Sequence, residues 1–156
     1  PDIIIISEIR DEITAEIAIR AALTGHLVIA TIHTNDTVST ITRLVDMGVP
    51  KYLILDSLIG VIAQRLLNKK CEYCYGNNCE KCINGYKGRI AINEILIINE
   101  KIKQILKTEN SAYECKNKLK EMKCHNFVSF EDDIKEKVKN NVIFEKDALD
   151  FYSMYE

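Results

Sequence analysis

Two short apolar runs, each ending in ionisable side chains, limit what this chain can fold into more than any other feature. The first is Ile3 to Ile6, which leads into Ser7, Glu8, Ile9, Arg10 and Asp11. The second is Leu27 to Ile32, which leads into His33, Thr34, Asn35 and Asp36. Apolar runs this short and this rich in β-branched residues read as buried strands of a parallel sheet. Between them, Ile13, Ile17, Ala21 and Thr24 recur at helical spacing over residues 12–24. Asp11 stands where a helix cap belongs and Gly25 where a helix-ending glycine belongs. After the second run, Asn35 or Asp36 can cap a helix over residues 37–47, closed by Gly48 and Pro50. Strand, helix, strand, helix is the pattern of an α/β fold with parallel strands. In open sheets of that kind, ligands bind beyond the carboxyl ends of the strands. Glu8 and His33 are therefore expected side by side at one site.

The rest of the chain is read more coarsely. Residues 52–58 read as helix, while residues 60–67 fit either a continuation of that helix or a strand. Residues 71–82 form a loop-rich, cysteine-dense module, and residues 88–98 read as a strand. In that strand Ile90, Ile92 and Glu94 share one face, with Ala91, Asn93 and Ile95 on the other. Beyond it the chain turns lysine- and glutamate-rich, with helices expected over 100–107, 112–123, 130–140 and 145–152. Ser111 and Ser129 are placed to cap two of them.

At 156 residues the chain fits one domain or one and a half. Its net charge of −2 gives no bulk attraction to nucleic acid or to an anionic membrane. No apolar run approaches the roughly 18–20 residues of a membrane-spanning helix, so no transmembrane segment is expected. The opening Pro1 and Asp2 do not resemble a signal peptide. An immediate start on a strand of four isoleucines, without an initiating Met, suggests a truncated chain in which some neighbours of that strand are missing.

There are six cysteines, at 71, 74, 79, 82, 115 and 124, four of them within twelve residues. Without a secretory signal this pattern reads as metal binding before disulfides, and as a cytoplasmic protein. Cys71, Cys74, Cys79 and Cys82 supply the thiolates of a closed tetrahedral zinc site; an iron–sulfur cluster or free thiols are the alternatives. Four thiolates around one ion leave no open position for substrate, so the expected role is to staple a loop. Cys115 and Cys124 read as helix thiols, and His125 is an additional metal candidate. For Glu8 the choices are a carboxylate that holds Mg²⁺ or polarises a water beside a nucleotide, or an ordinary solvated loop residue. Arg10 can stabilise phosphate charge or pair with Asp11. His33 can orient a γ-phosphate or sit in an ordinary strand-to-helix loop. His26, at the other end of the same strand, reads as structural. No Gly-x-x-x-x-Gly-Lys-Ser/Thr loop occurs in the chain.

In this order the segments resemble the secretion and type IV pilus assembly ATPases, the traffic ATPases, from Pro1 to about residue 150. Pro1 to Asp11 resembles the family's Walker B segment, and Ala15 to Val28 the helix and strand that follow it. Thr31 to Asp36 is similar to its histidine box. The stretch Thr42 to Val49, Ala63 to Leu67, the paired Cys-x-x-Cys, Gly85 to Arg89 and Ile92 to Leu96 continue the match. The resemblance implies the C-terminal half of a RecA-like P-loop NTPase domain. Residues 1–70 would be its core, 71–87 a tetracysteine zinc module, 88–98 a returning strand and 99–156 a helical subdomain. It implies catalytic roles for Glu8 and His33, and nucleotide-site or subunit-coupling roles for Arg10 and Arg20. ATP, Mg²⁺ and Zn²⁺ are the implied cofactors. Family members are homo-hexamers on the cytoplasmic face of the inner membrane, working with a membrane platform protein to assemble pilins or pseudopilins, without binding nucleic acid directly. The four cysteines point to the extension and secretion branches. Ser7 departs from the family's usual glycine, and the loop between the cysteine pairs is short. The Walker A loop would precede Pro1, so the isolated chain is expected to be inactive. The alternative is a zinc-stapled interaction module without catalysis.

Overall fold

The computed structural model describes residues 1–109, 111–122 and 125–155. Strands β1 (Ile3–Ile6) and β2 (Leu27–Ala30) pair in parallel, with Ile3 opposite Leu27 and Ile6 opposite Ala30. The pairing continues past the strand ends: the Ile9 N–H donates to the Thr31 carbonyl at 2.9 Å, and the Thr31 hydroxyl donates to the Ser7 carbonyl. Helix α1 (Glu12–Leu23) starts at Asp11, whose carboxylate accepts the Thr14 N–H at 2.8 Å, and ends at Gly25 with φ +96°. Helix α2 (Thr37–Asp46) starts at Asp36, which accepts the Ser39 N–H at 2.7 Å. Of the two residues able to cap it, Asp36 does so.

The helical spacing of α1 holds, but the residues that define it do not face the core. Ile13 and Ile17 are 71% and 60% exposed, while Ala15, Ala18 and Ile19 are buried. Two alanines on the inner face let the helix backbone come close to its neighbour, α3 (Lys51–Ser57). The β1–β2 pair likewise has one open face, on which Ile3, Ile5, Leu27 and Ile29 are exposed. Ile6 and Val28 pack on the core from the other side.

The stretch that periodicity left undecided is a strand, β3 (Gly60–Lys70). It pairs with β4 (Tyr86–Ile97), which in turn pairs with a two-residue strand, β5 (Phe127–Val128), that sequence patterning did not anticipate. Gly60 suits its position because a Cβ there would lie 3.2 Å from the Leu96 carbonyl. Along β4 the expected alternation is observed: Ile92, Glu94 and Leu96 are fully buried. Four helices complete the chain: α4 (Glu100–Thr108), α5 (Ala112–Glu121), α6 (Phe130–Lys139) and α7 (Glu145–Tyr155). Asn99 caps α4, Ser111 caps α5, and Ser129 forms a reciprocal capping box with Asp132 on α6. The expected end of the second of these helices, at Lys123, and the thiol of Cys124 lie outside the described residues.

Packing groups the chain in a way that cuts across its motif order. One unit is Pro1–Ala63 with Ile95–Phe127, and the other is Gln64–Glu94 with Val128–Glu156. The first has a core of Ile19, Val38, Ile41, Ile54, Leu55, Leu96, Ile102 and Leu119. Each such side chain contributes about 1.5–3 kcal/mol through burial. The second is smaller and rich in aromatics. Phe130 and Phe151 pack with ring centroids 5.7 Å apart, and Tyr86 meets Phe144 edge-on at 5.0 Å.

Candidate functional site

Parallel pairing of β1 and β2 carries the two polar strand ends out on the same side. Glu8 lies two residues beyond β1 and His33 three beyond β2, and their side chains meet: His33 Nε2 is 2.9 Å from Glu8 Oε1. Arg10 completes a triad, with its guanidinium 2.6 Å from Glu8 Oε2. Asp11 is engaged at the start of α1, so Arg10 pairs with Glu8 rather than with its neighbour. The hydrogen bond from Arg10 holds the Glu8 carboxyl below its ordinary value of 4.5; partial burial works against this, and the charges of Arg10 and His33 add to it. Glu8 is thus an ionised carboxylate with a partner on each oxygen. Its side chain is 18% exposed, whereas that of His33 is 89% exposed. The pair therefore combines a shielded, fixed anion with an imidazole open to a ligand. Such a pair can hold a cation or a water at Glu8 and donate a hydrogen bond from His33 to an anionic oxygen.

Arg20 is elsewhere engaged, 2.6 Å from Glu16 one turn earlier on α1. His26 makes local contacts: its Nδ1 lies 3.1 Å from the Ala21 carbonyl and 3.2 Å from the Thr24 hydroxyl, as expected of a structural residue.

Sequence patterning missed the support behind His33. The Thr34 hydroxyl shares a 2.8 Å hydrogen bond with that of Thr40, and Thr40 also donates to the Asp36 carbonyl at 3.2 Å. Lys116, on α5, reaches the Asp36 carboxylate at 3.3 Å. No motif flags a contact between residues 80 apart in the chain.

The second constellation is the tetracysteine module. The sulfurs of Cys71, Cys74, Cys79 and Cys82 all lie within 4.8 Å of one another, the only such metal-ligating group among the described residues. Cys71 and Cys79 are 3.9 Å apart, Cys74 and Cys82 3.7 Å, and Cys79 and Cys82 3.7 Å. A tetrahedron with metal–sulfur bonds of about 2.3 Å has edges of about 3.8 Å, so this donor set fits one zinc ion. The short connection closes through left-handed backbone at Tyr75, Gly76 and Asn78. A Cβ on Gly76 would lie 2.5 Å from Cζ of Phe144. The Tyr75 N–H donates to the Cys71 carbonyl at 2.9 Å, and the Cys79 N–H to the Cys82 sulfur at 3.2 Å.

Two of the thiols, Cys71 and Cys79, are pushed in opposite directions. Burial opposes ionisation of Cys71, but the backbone N–H groups of Tyr73 and Cys74 and the neighbouring thiols outweigh it and lower its pKa to about 7. At Cys79 the Lys81 N–H favours the thiolate, but burial and the surrounding sulfurs prevail and raise its pKa to about 11. A divalent cation removes that conflict. Cys115 is buried on α5, and its burial pushes the thiol up.

The family model for type II/IV secretion system proteins matches residues 1–148. The type II secretion system protein HxcR of Pseudomonas aeruginosa is 49% identical over 115 residues, which cover 68% of this chain and 24% of HxcR. The type IV pilus assembly ATPase PilB of Thermus thermophilus is 44% identical over 144 residues, covering 74% of this chain and 16% of PilB. The chain therefore spans a quarter or less of the length of these two relatives. Among solved structures, the pilus retraction motor PilT with bound ADP matches with a TM-score of 0.71 and 30% identity, over 96% of this chain and 39% of that one. The fold is accordingly the α/β architecture of the RecA-like traffic ATPases, here carrying a four-cysteine cluster. No helix among the described residues is long and apolar enough to cross a membrane. By the match that runs from Pro1 through most of its length, the chain belongs to the type II/IV secretion system protein family.

Proposed function

We propose that this chain is the C-terminal part of a hexameric cytoplasmic ATPase that couples ATP hydrolysis to pilin or pseudopilin assembly, in a type IV pilus, type II secretion or competence machine. The observation that carries this reading is the 2.9 Å contact between Glu8 and His33 at the ends of adjacent parallel strands. Glu8 is the carboxylate that would hold Mg²⁺ or orient the attacking water, exchanging one of its two present partners to do so. His33, whose imidazole is exposed, is the group that would hydrogen-bond the γ-phosphate, in addition to or in exchange for its contact with Glu8. Arg10, freed from Glu8, is placed to meet phosphate charge. Arg20, exposed on α1, is assigned to the nucleotide site or to coupling between subunits. Zinc bound by Cys71, Cys74, Cys79 and Cys82 would cross-link the two knuckles and supply no catalysis.

The functional division follows the motifs: ATPase core to residue 70, zinc module over 71–87, returning strand over 88–98, and helices from 99 onward. A platform protein at the inner membrane is the proposed partner, and the cytoplasmic face of that membrane the proposed location. With no phosphate-cradling glycine loop of its own, the isolated 156-residue chain is expected to turn over no ATP.

The test is ATP hydrolysis by the full-length protein that contains this chain. Glu8→Gln and His33→Ala are each expected to lower kcat by about 100-fold or more. Wild-type turnover in both variants would sink the reading. Turnover by the isolated chain would sink the claim that it is inactive alone.

A further inference from the structure

The loop that carries His33 is held at its far end by the Asp36 carboxylate. Asp36 sits three residues after His33, and its two oxygens have different partners: the Ser39 N–H at 2.7 Å and the Lys116 ammonium at 3.3 Å. The first bond is internal to α2 and caps it. The second reaches across to α5, which packs against α2. Both members of this ion pair are shielded, with side chains 23% and 28% exposed. Shielding makes such a pair more effective than one in open solvent. Burial disfavours the Asp36 carboxylate, but Ser39 and Lys116 together keep its pKa below the ordinary value. Around it, Thr37 and Thr40 are buried, and the Thr34–Thr40 hydroxyl bond ties the middle of the loop to α2.

We infer that Lys116 is a positioning residue for His33. It acts through Asp36, holding the start of α2 and hence the His33–Asp36 loop in the register that presents the imidazole to Glu8. The inference rests on the ATPase reading above. It couples α5 to the site, because the Lys116–Asp36 ion pair joins this helix to the end of the His33 loop. The ionic partners of Glu8 are Arg10 and His33, so Lys116 acts on the pair at one remove. Its loss should therefore slow the chemistry without weakening nucleotide binding.

The experiment is steady-state ATP hydrolysis by the full-length protein, with Lys116→Ala, Lys116→Met and Lys116→Arg. Lys116→Met keeps the aliphatic stem, and so the packing, while removing the charge. The expected result for the Ala and Met variants is a kcat lowered about three- to tenfold, with KM for ATP unchanged within about twofold. Lys116→Arg should restore most of the rate. In a His33→Ala background, Lys116→Met should have no further effect, because the residue it positions is gone. Wild-type kcat in Lys116→Met, a change confined to KM, no rescue by arginine, or an undiminished effect in the His33→Ala background would each overturn the inference. The ATPase reading is judged separately, by His33→Ala and Glu8→Gln alone.

Discussion

The Glu8–His33 pair and the tetracysteine module reach similar local precision by opposite routes. The cysteines are twelve residues from first to last, and tight turns at Tyr75, Gly76 and Asn78 are enough to bring their sulfurs together. Glu8 and His33 are separated by a whole helix, and only the pairing of β1 with β2 joins them. The module is a site in which like groups converge and oppose one another, a conflict that a bound cation would remove. The strand-end pair is already balanced, with a carboxylate between a guanidinium and an imidazole. A local site can thus depend on its ligand for balance, while a site assembled by topology is organised before its ligand arrives.

The sharpest way to break this contrast is to deny the module the zinc proposed for it. Structural zinc contributes on the order of 10 kcal/mol to small folds that depend on it. Chelation, or Cys71→Ser, is expected to abolish stoichiometric zinc and greatly speed hydrogen exchange of the backbone amides of residues 71–85. Metal analysis and exchange mass spectrometry check this, and protected amides after chelation would mean that the turns alone hold the module. Next in size is Glu8→Gln in the full-length protein. A loss of about 100- to 1000-fold in kcat corresponds to about 3–4 kcal/mol of transition-state stabilisation. Hydrolysis assays read it directly.

Gly76→Ala sharpens the local side of the comparison. It places a Cβ at φ +94° and 2.5 Å from Phe144, and should destabilise the zinc-loaded chain by about 1–3 kcal/mol in urea titration. Asp11→Ala removes the cap of α1 and is expected to cost about 1 kcal/mol by the same measurement. The smallest effect is on pH dependence. Glu8 has a folded pKa below its ordinary 4.5, owing first to its hydrogen bond from Arg10. The unfolded chain therefore takes up this proton at higher pH than the folded one. The stabilisation is complete above about 4.5 and is lost as pH falls through the lower folded value. Glu8→Gln should flatten the acid limb of the stability curve in that window.

The two sites also differ in how well they can be read from sequence. The cysteine cluster is legible because short spacing alone brings its four sulfurs together. Glu8 and His33 are legible only once the two apolar runs are recognised as parallel strands, since the rule about strand ends does the rest. The caps at Asp11, Asp36, Ser111 and Ser129 are accessible because capping is local chemistry. Burial is harder. Ile13 and Ile17 mark a helix but not its inner face, because small alanines permit a closer approach than isoleucines do. The strand at Gly60–Lys70 is undecidable from its own residues because its partner lies beyond the cysteine loop, and β5 is too short to show a period. Lys116 leaves no trace in the pattern, since a lysine on a charged helix looks like any other until its helix is packed.

The register between β1 and β2 has a consequence for how this chain can vary in evolution. Each residue advances a strand by about 3.3 Å, more than a hydrogen bond can absorb. A one-residue insertion or deletion between Ile6 and Glu8, or between Ala30 and His33, would therefore part the two groups. A change of length at Thr24–Gly25, in the turn after α1, would leave both strand ends where they are. Length variation among descendants of this sequence should accumulate in the return path and be purged from the few residues that follow each strand.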